Sequence, residues 1–446
     1  MIKQLRVEKL FGQFTYTISF KPTGIAIITG PNGYGKSTIL KIIASIIDEG
    51  LYEVCQYPFQ KLNIVPINGN EFCIEKNGKN DIEVNKVKLQ MMTPREIEQW
   101  SSRHSLKYVE RIAPNQYFDR RTGNILDDEE VAMLREQTSE TKAIIKDRLI
   151  AVNFLRAKRE KRTTSTFKTL DEEYSTFKKS LGNIKFIREQ RLLREEKRES
   201  RYYGEEESEV IEVIKEIPNK LKEQIQNTVI RYSQIASQLD STYPKRLFAE
   251  SIQLSQTSYL EKLGDIIVKQ EKIFDYKLIQ DMHISSPDIH QEYKPELSTA
   301  LSIYLSDTTT KLEVFDELVA KIELYKNILD KKLFNKYVDI SAVFGLKIVR
   351  KDGMELSLDK LSSGEKQIIV LYYDLIFGLE NKTILLIDEP EISLHVAWQR
   401  EMLDDFNKIV LLQKDQLSII VATHSPQLIN NHWNMVIDLG AANEVQ

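Results

Sequence analysis

The sequence has few of the residues that build scaffolds outside the cytoplasm or across a bilayer. Two cysteines, Cys55 and Cys73, cannot make a disulfide framework, and a zinc site would need other ligands. Six histidines supply no pair at metal-ligand spacing. No apolar stretch nears the roughly 18 residues of a membrane span, and Met1-Ile2-Lys3-Gln4-Leu5 opens no signal-peptide core. These absences exclude a membrane partner and point to the cytoplasm. Lys plus Arg number 62 against 66 Asp plus Glu, a formal net charge of −4. That excludes a polycation held on nucleic acid by bulk charge, while a local basic groove stays open.

Turn formers are also scarce. The 17 glycines are near half of the usual share of about 7%. Only Gly182, Gly204 and Gly264 lie between Asn124 and Phe344, and no proline lies between Asn115 and Ile217. A charge-rich stretch without turn punctuation predicts long helices. The two ends carry short apolar runs and predict strands. At 446 residues, about three times a domain of roughly 150, two or three domains are expected.

Gln4 to Leu10 and Thr15 to Phe20 alternate as half-buried strands, with Gly12 at the turn. Gly24 to Thr29 is a β-branched apolar run, as in a strand buried on both faces. A helix is predicted over Thr38 to Ile47. Asn68-Gly69 and Asn77-Gly78 mark hairpins between Asn63 and Lys88. Thr93 to about Lys179 reads as helical, Asn183 to Ile187 as a strand, and Glu205 to Leu333 as mostly helical. Near its end Phe315, Leu318, Ile322, Tyr325 and Leu329 form an amphipathic seam, read as a helix packed on the body of the protein. A hairpin turning at Asp352-Gly353, a helix from Lys366 to Leu379, and strands at Thr383–Ile387 and Leu417–Ala422 complete the chain. Arg156 to Arg162 is the densest basic run and Glu205-Glu206-Glu207 the densest acidic one.

Four elements carry chemistry. Gly30-x4-Gly35-Lys36-Ser37 matches a P-loop between a strand and a helix. Gly30, Asn32, Gly33, Gly35, Lys36, Ser37 and Thr38 are its candidate ATP contacts. The glycines let backbone N–H groups close on phosphate oxygens, and the helix N-terminus adds positive potential. Lys36 reaches the β- and γ-phosphates, and Ser37 offers a hydroxyl to Mg²⁺. The run Ile384 to Ile387 ends in Asp388 and Glu389, carboxylates at a strand's C-terminal edge, where open α/β sheets bind ligands. Asp388 can hold Mg²⁺ through water, and Glu389 can polarise the attacking water. Leu361-Ser362-Ser363-Gly364-Glu365 opens a helix and makes a second anion-binding end. One P-loop needs no second cradle on the same nucleotide, so Ser362, Ser363, Gly364 and Glu365 are assigned to the ATP of a second copy. His424 follows the last apolar run and can touch a γ-phosphate; a lone histidine after a strand is otherwise structural.

These elements in this order resemble the ABC-type ATPase superfamily: Walker A, signature, Walker B and switch histidine. The signature departs from the transporter form Leu-Ser-Gly-Gly-Gln. The segment Asp388-Glu389-Pro390-Glu391-Ile392-Ser393-Leu394-His395 also lacks the Asp that usually follows Leu in transporters. Both departures, and an insertion of more than 300 residues between Walker A and signature, resemble the SMC, RecF and OLD branch. The segments Phe186 to Leu192, Ser237 to Leu247 and Thr423 to Ile429 are similar to ones in bacterial anti-phage ATPases, the AriA family of PARIS systems and the PtuA family of Septu and related retron systems.

The resemblance implies an α/β fold, an ABC-type P-loop ATPase head with a mixed β-sheet core and an inserted, largely helical lobe. The head would comprise 1–92, 183–204 and 336–446, and the lobe 93–182 and 205–335. ATP and Mg²⁺ are the implied cofactors. Gln190 is the candidate Q-loop glutamine watching Mg²⁺, with a surface glutamine as the alternative and Gln116 as a competitor. Phe11 or Phe14 is a candidate for stacking on adenine, unless it is core. Two heads are expected to associate head-to-tail, as a dimer or within a higher oligomer. OLD-type nucleases carry a metal-dependent TOPRIM domain beyond the switch histidine. Only 22 residues follow His424, so nuclease action is expected from a separate effector, with a phage protein as trigger. The rival expectation is a RecF- or SMC-like DNA-repair ATPase that clamps DNA, with Arg156 to Arg162 on phosphates rather than on a solvated helix face.

Overall fold

The apolar runs that lack alternation lie side by side. Strands β1 (Ile2–Leu10) and β2 (Phe14–Ser19) precede β3 (Gly24–Thr29), the first of these runs. In a computed structural model, β3 joins β11 (Asn183–Ile187), β17 (Thr383–Asp388), β18 (Leu417–Ala422) and β19 (Val436–Asp438) in a five-stranded sheet. The order is β11-β17-β18-β3-β19, and every pairing is parallel. The structure describes residues 1–48, 50–78, 81–90, 109–113, 116–119, 124–126, 164–188, 192–199, 206–249, 251–279, 293–379, 382–414 and 416–441.

The sheet separates two cores, which explains why its inner strands β17, β18 and β3 are almost wholly apolar. Ile27, Leu385, Ile387, Ile419 and Val421 face one core; Ile28, Ile384, Leu386, Ile420 and Ala422 face the other. The second core is closed by α1 (Lys36–Asp48), α2 (Leu51–Gln56), α3 (Thr164–Leu181) and a six-stranded sheet. That sheet adds β4 (Lys61–Pro66), β5 (Phe72–Lys76), β6 (Asp81–Val84) and β7 (Val87–Gln90) to β1 and β2, in the antiparallel order β2-β1-β4-β5-β6-β7. The mixture of strand directions is thus divided between two sheets. The β6–β7 turn uses Asn85 and Lys86, both at positive φ (47° and 69°), so this hairpin forms without the glycine that marks the other two.

The first core holds α4 (Val213–Ala249), α5 (Gln256–Asp275), α6 (Ser298–Glu313), α7 (Asp316–Lys332), α8 (Ser363–Ile376) and α9 (Val396–Leu412). The seam expected from Phe315 to Leu329 is buried along its whole length and packs into this core. A three-stranded sheet, β14 (Lys336–Ser341), β15 (Gly345–Arg350) and β16 (Glu355–Leu356), lines it. The hairpin expected at Asp352-Gly353 is therefore one half of a meander whose first strand, β14, the sequence reading missed. Helix α10 (Pro426–Ile429) follows the end of β18.

Two helical expectations are corrected. Within Thr93 to Lys179, β8 (Val109–Ala113), β9 (Gln116–Asp119) and β10 (Asn124–Leu126) form an antiparallel sheet, and helix is described only from Thr164. The register opposes Ala113 to Gln116, with the turn dipeptide Pro114-Asn115 between them in sequence. Likewise β13 (Glu206–Glu212), at the start of the second expected lobe, pairs with β12 (Leu193–Glu199), placing Arg198 opposite Glu207. Segments this charged have no apolar period to choose helix over a two-stranded ribbon. Glu205 and the basic run Arg156 to Arg162 lie outside the described residues.

Gly345 is where helix α4 comes closest to the meander. Its φ is +71°, and a Cβ there would lie 1.8 Å from the Pro218 carbonyl oxygen. Gly345→Ala should therefore destabilise the protein by about 3 kcal/mol, from left-handed strain plus displacement of backbone. Gly353→Ala, with similar φ but open space around the site, should cost only about 1 kcal/mol. Urea unfolding of the two variants measures the difference; equal costs would remove the close approach as the constraint.

Candidate functional site: an ATP site at one sheet edge

The parallel register sets three loops at a common edge. Ile28 pairs with Ala422 and Ala422 with Asp388, so β3, β18 and β17 end level. The 30–35 loop, the 423–425 loop and the 389–395 loop leave those ends. Their bases are tied by main-chain bonds, Thr423 N–H to Ile28 O at 3.1 Å and Glu389 N–H to Ala422 O at 2.9 Å.

Gly33 and Gly35 sit at φ +85° and +90° in the first loop. A side chain on Gly35 would strike Leu10, with only 2.6 Å from its Cβ to Leu10 Cδ2. Lys36, the first residue of α1, is buried, and its ammonium donates to the carbonyls of Gly30 (2.8 Å) and Pro31 (3.2 Å) across the loop. Ser37 Oγ donates to Asp388 Oδ1 at 2.8 Å. Adjacent oxygens around an octahedral Mg²⁺ with bonds of 2.0–2.1 Å lie about 3 Å apart. The Ser37 hydroxyl and the Asp388 carboxylate therefore fit one cation.

Glu389 follows Asp388 at φ +45°, an uncommon conformation for a side chain of this size. Its Oε2 lies 2.7 Å from Nδ1 of His424. A carboxylate can only accept, so the hydrogen belongs to Nδ1. Glu389 is recessed, 14% exposed, whereas His424 is 57% exposed. Behind them Glu391 is buried and accepts from the Thr423 hydroxyl. Donor atoms of Glu389, Glu391 and His424 all lie within 4.8 Å of one another. Burial pushes the Glu391 carboxyl up to about 7, and neighbouring Glu389 adds to the rise, against the Thr423 hydrogen bond. Its Oε2 is buried without a hydrogen-bond partner; a proton there could be donated to the neighbouring Glu389 carboxylate.

At the signature, Ser362 caps α8 in a reciprocal box. Glu365 N–H donates to Ser362 Oγ (3.3 Å), and Ser362 N–H donates to Glu365 Oε2 (3.0 Å). Burial alone would raise the Glu365 carboxyl, but Lys336, 2.5 Å from Oε1, and Ser362 hold it below its usual range. A Cβ on Gly364 would lie 2.8 Å from the Ser393 carbonyl oxygen, so the signature abuts the loop that carries Glu389 and Glu391. Ser363 is the first residue of α8.

The structure brings Lys36, Ser37, Asp388, Glu389 and His424 together at the sheet edge. Gln190 lies outside the described residues, and its rival Gln116 is placed in β9. Phe11 is 42% exposed, and its ring is 3.3 Å from the position of a Gly35 Cβ. Phe14 instead is half-buried and stacks on Tyr34 (4.9 Å) and Tyr16 (5.9 Å) against the core. Sequence reasoning missed Glu391, Thr423 and Lys336. The first two stood inside quoted motifs, but nothing in the sequence said that they touch.

Walker A, Walker B and the switch histidine at one edge of a parallel sheet, with a separate capped signature helix, define a P-loop ATPase of the ABC type. Residues 1–429 match the family model described as AAA ATPase domain, and the chain belongs to that family. It is also similar to the retron Ec83 probable ATPase of Escherichia coli, 29% identical over 151 residues. That match covers 31% of this chain and spans a quarter, 25%, of the relative. Among solved structures, the Smc head domain with an extended coiled coil bound to the C-terminal domain of ScpA, from Pyrococcus furiosus, aligns at 12% identity and a TM-score of 0.34, covering 98% of this chain and 92% of that one. The SMC head domain from Thermotoga maritima aligns at 10% and 0.31, covering 96% and 90%. Likeness at these scores carries no argument about this chain. Among the described residues no helix is long and apolar enough to cross a membrane.

Lys36→Ala should weaken ATP binding by about 100-fold or more, because the loop loses its buried cation. Glu389→Gln should bind ATP as the parent does and lose turnover by about 100- to 1,000-fold. Equilibrium binding and phosphate release check both, and normal turnover by Glu389→Gln would remove Glu389 from the chemistry. A second expectation concerns stability. A carboxyl held near 7 in the fold and near its model value of 4.5 when unfolded stabilises the fold fully below about pH 4.5, and that contribution is lost as pH rises through 7. The Tm of Glu391→Gln should therefore rise relative to the parent between pH 5 and pH 8. A difference that stays flat across that range would place the carboxyl at its ordinary value.

Proposed function

We propose that this chain binds and hydrolyses ATP, and that it is the ATPase subunit of an anti-phage defence system controlling a separate nuclease effector. The observation that supports ATP chemistry most directly is the meeting of Glu389 with His424 beside the Ser37–Asp388 pair. In this reading Lys36 leaves its loop carbonyls for the β- and γ-phosphate oxygens, and its charge balances the charge that develops on them. Glu389 accepts a hydrogen bond from the attacking water and aligns it for in-line displacement. His424, oriented through Nδ1, offers Nε2 to the γ-phosphate. Ser37 and Asp388, with Gln190 as a further candidate, would hold Mg²⁺, which would supply charge neutralisation to the phosphate oxygens.

The signature completes this site from a second copy. Its capped helix start presents Ser363 and the amides of α8 to an anion, and Lys336 offsets the acid Glu365 beside it. Each ATP then lies between the Lys36 loop of one head and the Ser363 loop of the other. The head of this reading comprises 1–92, 183–204 and 336–446, with 93–182 and 205–335 as the inserted lobe. Similarity to a retron ATPase supports the defence assignment.

Ser363→Arg should bind ATP normally and lose turnover by about 100-fold or more. A one-to-one mixture with Lys36→Ala chains should regain roughly a quarter of parental turnover, since half of random dimers are mixed and each holds one intact site of two. Full turnover by Ser363→Arg alone sinks the shared site. For the biological assignment, co-expression with the neighbouring gene should yield a stable complex, and phage protection should require both genes and Lys36. ATP-dependent DNA retention with a steep salt slope, and no bound effector, would shift the assignment to a DNA clamp.

A further inference from the structure

Glu391 is an expensive residue to place where it is. It is only 6% exposed, and one of its oxygens has no hydrogen-bond partner. An apolar side chain would fill the position at less cost. Yet the other oxygen is bonded to the hydroxyl of Thr423, itself 0% exposed, from the loop after the neighbouring strand. Ser425 N–H donates to Thr423 Oγ1 at 2.9 Å, and Ser425 Oγ donates to Gln399 Oε1 at 3.1 Å. Gln399 Nε2 then donates to the carbonyls of Leu394 (3.0 Å) and Glu391 (3.4 Å). The bonds close into a ring running from the Walker B loop to the switch loop, on to α9, and back to the Walker B loop.

Glu389 and His424 adjoin that ring in sequence, two residues before Glu391 and one after Thr423, and meet each other at 2.7 Å. They come from different strands, and Glu389 is held at positive φ. A strained residue keeps its conformation only where its surroundings over-determine it. We propose that Glu391 and Thr423 are positioning residues for hydrolysis, their buried hydrogen bond locking the switch loop to the Walker B loop so that His424 stays against Glu389. The proposal rests on the reading of Glu389 as the group that aligns water. It assigns neither residue a contact with ATP; both act through Glu389 and His424, beside which Glu391 lies. The titratable groups facing Glu391 are Glu389 and His424; Thr423 and Gln399 are neutral.

The test is steady-state phosphate release by the full chain, with ATP affinity measured separately. Thr423→Val removes the hydroxyl at nearly constant volume. It should lower kcat about 10- to 100-fold while the KM and Kd for ATP stay within about twofold. Thr423→Ser returns the hydroxyl and should recover most of the lost kcat, which a simple packing defect would not. Glu391→Leu provides a second variant should Thr423→Val fail to fold, and it should show the same split. The proposal is overturned if either folded variant keeps parental kcat, if KM rises in proportion to the loss, or if serine does not rescue. Glu389→Gln run alongside separates the two levels. Normal turnover there removes the underlying reading, whereas its loss beside a normal Thr423→Val removes only the positioning proposal.

Discussion

The main-chain ladder joining β3, β18 and β17 is the constraint on which the rest depends. Its register makes three loops start level, and the site is what those loops hold. A shift of one residue along any of these strands would exchange the side chains facing the two cores, sending Ile27 to the side of Ile28 and Leu385 to the side of Leu386. Both faces are closely packed, so that exchange has nowhere to go. The position of Ser37 relative to Asp388, and of Glu389 relative to His424, is thus inherited from burial of aliphatic residues that touch no ligand.

Charge inside the molecule is handled by local pairing. Lys332, 2% exposed, lies between Asp405 (2.7 Å) and Glu401 (3.0 Å), while Tyr372 donates to Asp405 at 3.0 Å, so an ionic cluster joins α7, α8 and α9. Arg246 reaches both oxygens of the buried Asp307. The signature follows the same rule, since Glu365 is balanced by Lys336 and by the amide end of its own helix. Glu391 departs from it. Its nearest charged neighbours include another carboxylate, and burial together with that neighbour pushes its carboxyl up to about 7. The departure falls behind the two groups that face the reacting phosphate in the proposed reaction, where a device that costs stability has a use.

Much of this was legible from the residues. The unbroken apolar runs Gly24 to Thr29, Thr383 to Ile387 and Leu417 to Ala422 read as strands buried on both faces, inside the sheet core; that their pairing is parallel was not written in them. Gly35, Lys36 and Ser37 carry their chemistry in their spacing, because a phosphate cradle is a local object. The amphipathic seam from Phe315 to Leu329 was read correctly because its period is local too. Strands β8 to β10 and β13 were read as helix for the converse reason. Charged segments without a period are compatible with either form, and the partner strand decides.

By itself, then, the sequence determined features whose chemistry or period lies in a single contiguous segment: the phosphate loop, the apolar strands, the Ser362 cap with Glu365 three residues on, and the acid pair at the end of β17. Tertiary structure alone decided which segments meet. Ser37 finds Asp388 across 351 positions, Thr423 finds Glu391 across 32, and Lys336 finds Glu365 across 29. Those pairings depend on strand order and register. Strand order follows from how the whole set of apolar faces can be buried together, a global condition that no local pattern of residues encodes.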